Sequence, residues 1–149
     1  MRVTPPGARE GVRIVPSEHE EQVALFAWAH LISARHPELA ELFAVPNFSG
    51  RLGKAPPIAA IRQAQALKIE GRKPGVEDVM LLVARGGYHG LLIEMKRINA
   101  VPSDVKPEQR AWHKAHIKRG YRVEVCKGAE EAKAVLLDYL AQPKTQVVA

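Results

Sequence analysis

The sequence predicts an α/β fold, a small mixed β-sheet flanked by helices. Two observations predict it. The apolar runs Val79–Val83 and Gly90–Lys96 are separated by a glycine turn, as in a β-hairpin. A third such run, Tyr121–Cys126, follows only after a helical stretch, so a crossover helix carries the chain back to the sheet. With 149 residues, 46% of them hydrophobic and 26% charged, the chain has the size and composition of one domain with a sizeable core.

The elements follow in order. Residues 1–16 hold three prolines and two glycines without periodicity, and they read as a flexible arm. Ser17 and Glu20 form a capping box, so a helix starts there. Leu25, Phe26, Ala29 and Ile32 recur at helical spacing, and His36-Pro37 ends the helix. A short helical turn through Leu39 and Leu42 follows. Residues 45–57 read as a loop. Ile58, Ile61, Gln65, Leu67 and Ile69 favour a second helix, stopped by Gly71. Arg85-Gly86-Gly87 turns the hairpin, which makes these glycines turn chemistry and not a phosphate loop. Pro107 suits the first position of a third helix, which ends at Gly120. A last amphipathic helix covers residues 129–141, and the tail from Pro143 is expected to fray. One domain, 17–141, thus lies between an arm (1–16) and a tail (142–149).

Charge points to a partner. The net charge is +6, and a basic surface attracts polyanions, nucleic acid above all. The charge is clustered. Residues 51–73 hold Arg51, Lys54, Arg62, Lys68, Arg72 and Lys73 against Glu70 alone. Residues 96–122 hold eight lysines and arginines against Asp104 and Glu108. Clusters of one sign indicate a phosphate-facing surface better than a total does. The candidate DNA contacts are Arg51, Lys54, Arg72, Lys73, Arg97, Lys106, Arg110 and Lys114. Aromatics make up only 5%, which argues against base stacking as the main binding mode. The one cysteine, Cys126, rules out a disulfide within the chain and a cysteine-based zinc site. No apolar run reaches membrane-spanning length, and the chain reads as cytosolic.

Strand alternation puts Glu94 and Lys96 on one face, with Leu91, Ile93 and Met95 on the other. The hairpin brings Asp78 towards Glu94. Two carboxylates and a lysine in one cleft suit phosphodiester hydrolysis. The carboxylates bind a hard divalent cation, Mg²⁺ or Mn²⁺, and the lysine orients water or offsets charge. The competing reading is a cross-strand salt bridge at a sheet edge.

The stretches Gly75-Val76-Glu77-Asp78, Gly90-Leu91-Leu92-Ile93-Glu94-Met95-Lys96, Pro107-Glu108-Gln109 and Gly120-Tyr121-Arg122-Val123 together resemble the virus-type replication-repair nuclease (VRR-NUC) domain. That domain belongs to the PD-(D/E)XK nuclease superfamily, with its restriction-endonuclease-like core. Ser17–Leu25 and Val45-Pro46-Asn47 resemble stand-alone phage and bacterial members. The likeness covers roughly residues 17–141. It implies a metal-dependent DNA endonuclease, acting as a homodimer on branched DNA such as four-way junctions or flaps, in DNA repair. By motif match, Asp78, Glu94 and the Met95 carbonyl would hold the metal. Lys96 would be the catalytic lysine, and Gln109 would support the site. A first-helix acid joins through water in the family; Glu18 is the choice here, with Glu21 the alternative. The family's proline before the aspartate is replaced by Glu77, which is expected to point away from Asp78 into solvent.

Other candidates read more plainly. His113 and His116 lie three apart on the third helix and are expected on a solvated or DNA-facing side rather than at a zinc ion. Asn47–Arg51 is either a substrate-contacting loop or an ordinary polar turn. Trp28 and Trp112 read as core or interface residues. Two further functions compete with the nuclease, a catalytically silent DNA-binding module and a protein-interaction subunit whose carboxylates form only salt bridges.

Overall fold

The computed structural model describes residues 14–46 and 57–148. The expectations for the arm up to Arg13 and for the Asn47–Arg51 loop and Lys54 fall outside the described residues. Helix α1 spans Glu18–Ile32. Its capping box forms as the spacing predicts. The Glu20 N–H donates to Ser17 Oγ at 3.2 Å, and the Ser17 N–H donates to Glu20 Oε2 at 2.7 Å. Leu25 and Ala29 are buried, with Phe26 and Ile32 packed beside them. A 3₁₀ turn over Pro37–Glu41 follows.

Four strands form one sheet in the order β1 (Phe43–Ala44), β2 (Val79–Leu81), β3 (Leu91–Lys96) and β4 (Arg122–Lys127). β2 and β3 are antiparallel, and β3 and β4 are parallel. Helix α3 (Pro107–Lys118) makes the crossover between the parallel pair. β1 has no counterpart among the sequence-predicted strands. Two residues carry no periodicity, and they are extended only because they pair with β2, Phe43 with Met80 and Ala44 with Val79. The Val45 N–H continues that edge by donating to the Asp78 carbonyl at 2.8 Å. β2 is shorter than its apolar run, since pairing stops at Leu81 and Leu82 is exposed. The hairpin closes at an Arg85–Tyr88 bridge. Between them Gly86 and Gly87 take φ of 57° and 87°, the left-handed values that a tight two-residue turn needs.

All six residues of β3 are buried. Leu91, Ile93 and Met95 enter the core with Leu25 and Ala29 of α1 and with Ala132, Leu136 and Tyr139 of α4 (Gly128–Ala141). The Tyr139 hydroxyl, buried at its apolar end, donates to the Val83 carbonyl at 2.7 Å. The opposite face of β3 carries Glu94 and Lys96 and is covered by α3. Helix α2 (Pro57–Ile69) leaves Ile58, Ile61 and Ile69 exposed.

The tail does not fray at Pro143 as the sequence predicts. The Gly86 N–H donates to the Pro143 carbonyl, and the Gly87 N–H to Thr145 Oγ1, both at 2.9 Å. The turn's outward N–H groups hold the tail because backbone donors find partners wherever they can. Among the described residues no helix is long and apolar enough to cross a membrane.

Candidate active site

The β2–β3 register fixes the first relation in the site. Val79 lies opposite Ile93, and Asp78, at the bend just before β2, follows at the end of that pairing, next to the Glu94–Met95 end of β3. The Asp78 side chain then fastens to β3 itself, where Oδ2 accepts from the Met95 N–H at 2.8 Å. In an extended strand the N–H and C=O of one residue point to the same edge. The Met95 carbonyl therefore faces the side on which Asp78 sits.

Glu94 is 1% exposed and Lys96 6%. The Lys96 ammonium donates to Glu94 Oε1 at 3.0 Å and to Gln109 Oε1 at 3.3 Å. Gln109 Nε2 donates to the same Glu94 oxygen. Gln109 reaches the site because it is the third residue of α3, just after Pro107. From there its Oε1 also accepts from the Lys106 N–H at 2.9 Å, as a residue at this position of a helix start does. Burying a carboxylate this deeply is costly unless it is paired and hydrogen-bonded. Oε1 meets that condition twice over. Oε2 does not: it is buried with no hydrogen-bond partner among the described residues. It lies 3.9 Å from His113 Nε2, which is likewise buried and unpartnered there.

Asp78, Glu94, Met95, Lys96 and Gln109 are thus brought together. Glu18 is not; it is exposed on the first turn of α1. Glu21 is the acid that turns inward. It continues the buried stripe of Leu25 and Ala29 back by one turn, and its Oε2 accepts from the Ala129 N–H at 2.8 Å, at the start of α4. Of the two first-helix acids, Glu21, the alternative, is thus the one that packs inward, and Glu18 is the exposed one. Glu18 lies at the helix end, beyond the packed part of the stripe.

Glu77 and the two histidines also depart from expectation. Glu77 is fully buried at 0% exposure. His116 Nδ1 lies 3.0 Å from its Oε1 and 2.9 Å from its Oε2. His113 is 9% exposed and faces Glu94. Neither histidine is on a solvated side. One signal could have placed them: Gln109, His113 and His116 stand at i, i+4 and i+7, so an inward Gln109 carries both along. Trp112, on the same side, donates its indole N–H to the Pro74 carbonyl at 2.9 Å.

The donor set of two carboxylates and a backbone carbonyl is all oxygen, the kind that suits a hard divalent cation. A cation would also satisfy the orphaned Glu94 Oε2. Among the described residues no group of three or more His, Cys, Asp or Glu side chains is arranged to hold a metal. Such an ion would keep positions for water and phosphate, as Mg²⁺ sites commonly do. Of the candidate DNA contacts, Lys73, Arg97, Lys106, Arg110 and Lys114 are exposed and Arg72 is half-buried. Arg51 and Lys54 lie outside the described residues. Lys106, Arg110 and Lys114 follow one another at four-residue steps, one line along α3 beside the site.

The VRR-NUC domain family model matches residues 18–130. A solved structure described as a VRR_NUC domain protein superposes with a TM-score of 0.67 at 26% identity, covering 88% of this chain and 93% of that one. No functionally curated protein matches.

Proposed function

The chain belongs to the VRR-NUC domain family, and from that membership and the geometry of the site we propose that it is a metal-dependent DNA endonuclease. The observation that carries the reading is the convergence of Asp78, Glu94, Lys96 and Gln109, with one buried Glu94 oxygen left without a donor.

Asp78, Glu94 and the Met95 carbonyl would hold Mg²⁺ or Mn²⁺. When bound, the ion polarises the scissile phosphate and lowers the pKa of a coordinated water. Lys96, held by Glu94 and Gln109, presents its ammonium where negative charge grows on the phosphate. Gln109 fixes that ammonium and carries the order of the α3 N-terminus into the site. Glu21, which packs inward against the start of α4, would be the first-helix acid that joins the ion through a water. Lys106, Arg110 and Lys114, with Arg97 and Lys73, supply the phosphate-binding surface. Branched DNA is the proposed substrate, cut by a homodimer. One small domain offers a short footprint, and two copies related by a two-fold axis would grip both arms of a junction or flap.

The test is cleavage of flap, splayed and four-way DNA in Mg²⁺, Mn²⁺ or EDTA. Metal-dependent cutting is expected from the wild type. Glu94→Ala should abolish it while DNA binding persists, and that retained binding reports an intact fold. Undiminished cutting by Glu94→Ala would sink the mechanism.

A further inference from the structure

Helix α3 is tied to both carboxylate-bearing segments of the site. Gln109 holds Glu94 and Lys96 on β3. The segment leading to Asp78 meets the same helix at three points. Trp112 donates to the Pro74 carbonyl at 2.9 Å. Gly75 lies so close to the helix backbone that an added Cβ would sit 2.8 Å from the Glu108 carbonyl carbon and 2.9 Å from the Gln109 nitrogen. His116 engages both oxygens of Glu77, at 3.0 and 2.9 Å.

The third contact is the unusual one. Glu77 is 0% exposed, and a carboxylate so placed is stable only while its partner stays. The pair binds within one residue of Asp78, whose own carboxylate reaches across to Met95. We infer that Glu77 and His116 are positioning residues for Asp78, a buried latch that fixes its distance from Glu94. The inference rests on the metal-site reading above. Metal ligands tolerate little displacement, and misplacing them weakens binding sharply. Gln109 and His116 stand two turns apart on one rigid helix, so the latch sets Asp78 against the β3 strand by fixing both to one ruler.

The experiment is Mn²⁺ binding to the full chain without DNA, by electron paramagnetic resonance and calorimetry, well below the melting temperature. His116→Leu should raise the Mn²⁺ Kd about 10–100-fold, the range for losing a group that orients a ligand. His116→Asn, whose amide N–H occupies the place of Nδ1, should stay near the wild-type value. Glu77→Pro/His116→Leu, which removes the buried charge and stiffens the backbone before Asp78 in its place, should recover most of the affinity. A purely structural pair would lower the melting temperature of His116→Leu but leave the Kd of the folded protein unchanged, and that result overturns the inference. If His116→Leu does not fold, Glu77→Gln keeps the volume and weakens the bond, and wild-type affinity there overturns it equally. Wild-type protein that binds no Mn²⁺ overturns the metal-site reading itself, a failure distinct from a latch variant that binds normally.

Discussion

Cys126 shows how far burial alone reaches at the scale of one residue. It lies beside Met95 in the β3–β4 register and is 1% exposed. Burial, with the charges of Glu124 and Glu131 adding to it, pushes its thiol up to about 12. At about pH 8 the native protein should therefore resist a thiol-specific disulfide reagent, and the thiol should react at once on unfolding in guanidinium. Rapid labelling of the native state would show that β4 opens locally. Above the ordinary thiol value the unfolded chain releases this proton and the folded chain keeps it. This group's contribution thus falls as pH rises from the ordinary 9.0 towards about 12. At the same scale, Asp78, Glu94 and Lys96 were legible in the sequence. Strand alternation and hairpin register place side chains without any knowledge of their partners. Glu77 and His113 were not. A charged residue reads as solvated until its partner is known, and the partner of Glu77 is 39 positions away.

At the scale of elements, the hairpin, the crossover helix and the last strand were readable because each carries its own period or turn signal. β1 carries none and is made by its neighbour. The inward face of α3 was half-readable: Gln109 reads as inward, but the lysines and arginines beside His113 and His116 make their side read as solvated or DNA-facing. The helix acts as a template, and the site segment comes close to its backbone at Gly75, where φ is +84°. Gly75→Ala meets two obstacles there, an unfavourable left-handed backbone and overlap with the Glu108 and Gln109 backbone, which cannot move like a side-chain tip. Together these should cost at least about 2 kcal/mol. Urea unfolding should show a lower midpoint with an unchanged slope. Cleavage by the folded variant should fall as well, since relief of the clash pushes the Asp78 segment off α3. An unaltered midpoint would mean that the segment floats free of the helix in solution.

At the scale of the whole molecule, the sheet divides two jobs. One face packs on α1 and α4 and forms the core. The other faces α3 and holds the candidate site, with the line of Lys106, Arg110 and Lys114 beside it. The net charge of +6 is thus less informative than its placement. If this line reads phosphates, binding will release counterions, and log K will fall with log salt by about 0.9 for each phosphate neutralised. Lys114→Ala should then weaken binding about equally for flap, splayed and four-way DNA and reduce the salt slope by about one contact. Its turnover at saturating DNA should stay close to wild type, because Lys114 is exposed and turned round the helix from its buried neighbour His113, which faces Glu94. Lys133 provides the control. It lies on α4, across the sheet, paired with Glu130 at 2.6 Å, and Lys133→Ala should leave the slope as it was. Salt titrations by fluorescence anisotropy on the three DNA forms measure both. Equal slopes for the two variants would move the DNA-binding surface away from α3, because a lysine that contacts phosphate cannot be removed without returning its counterion.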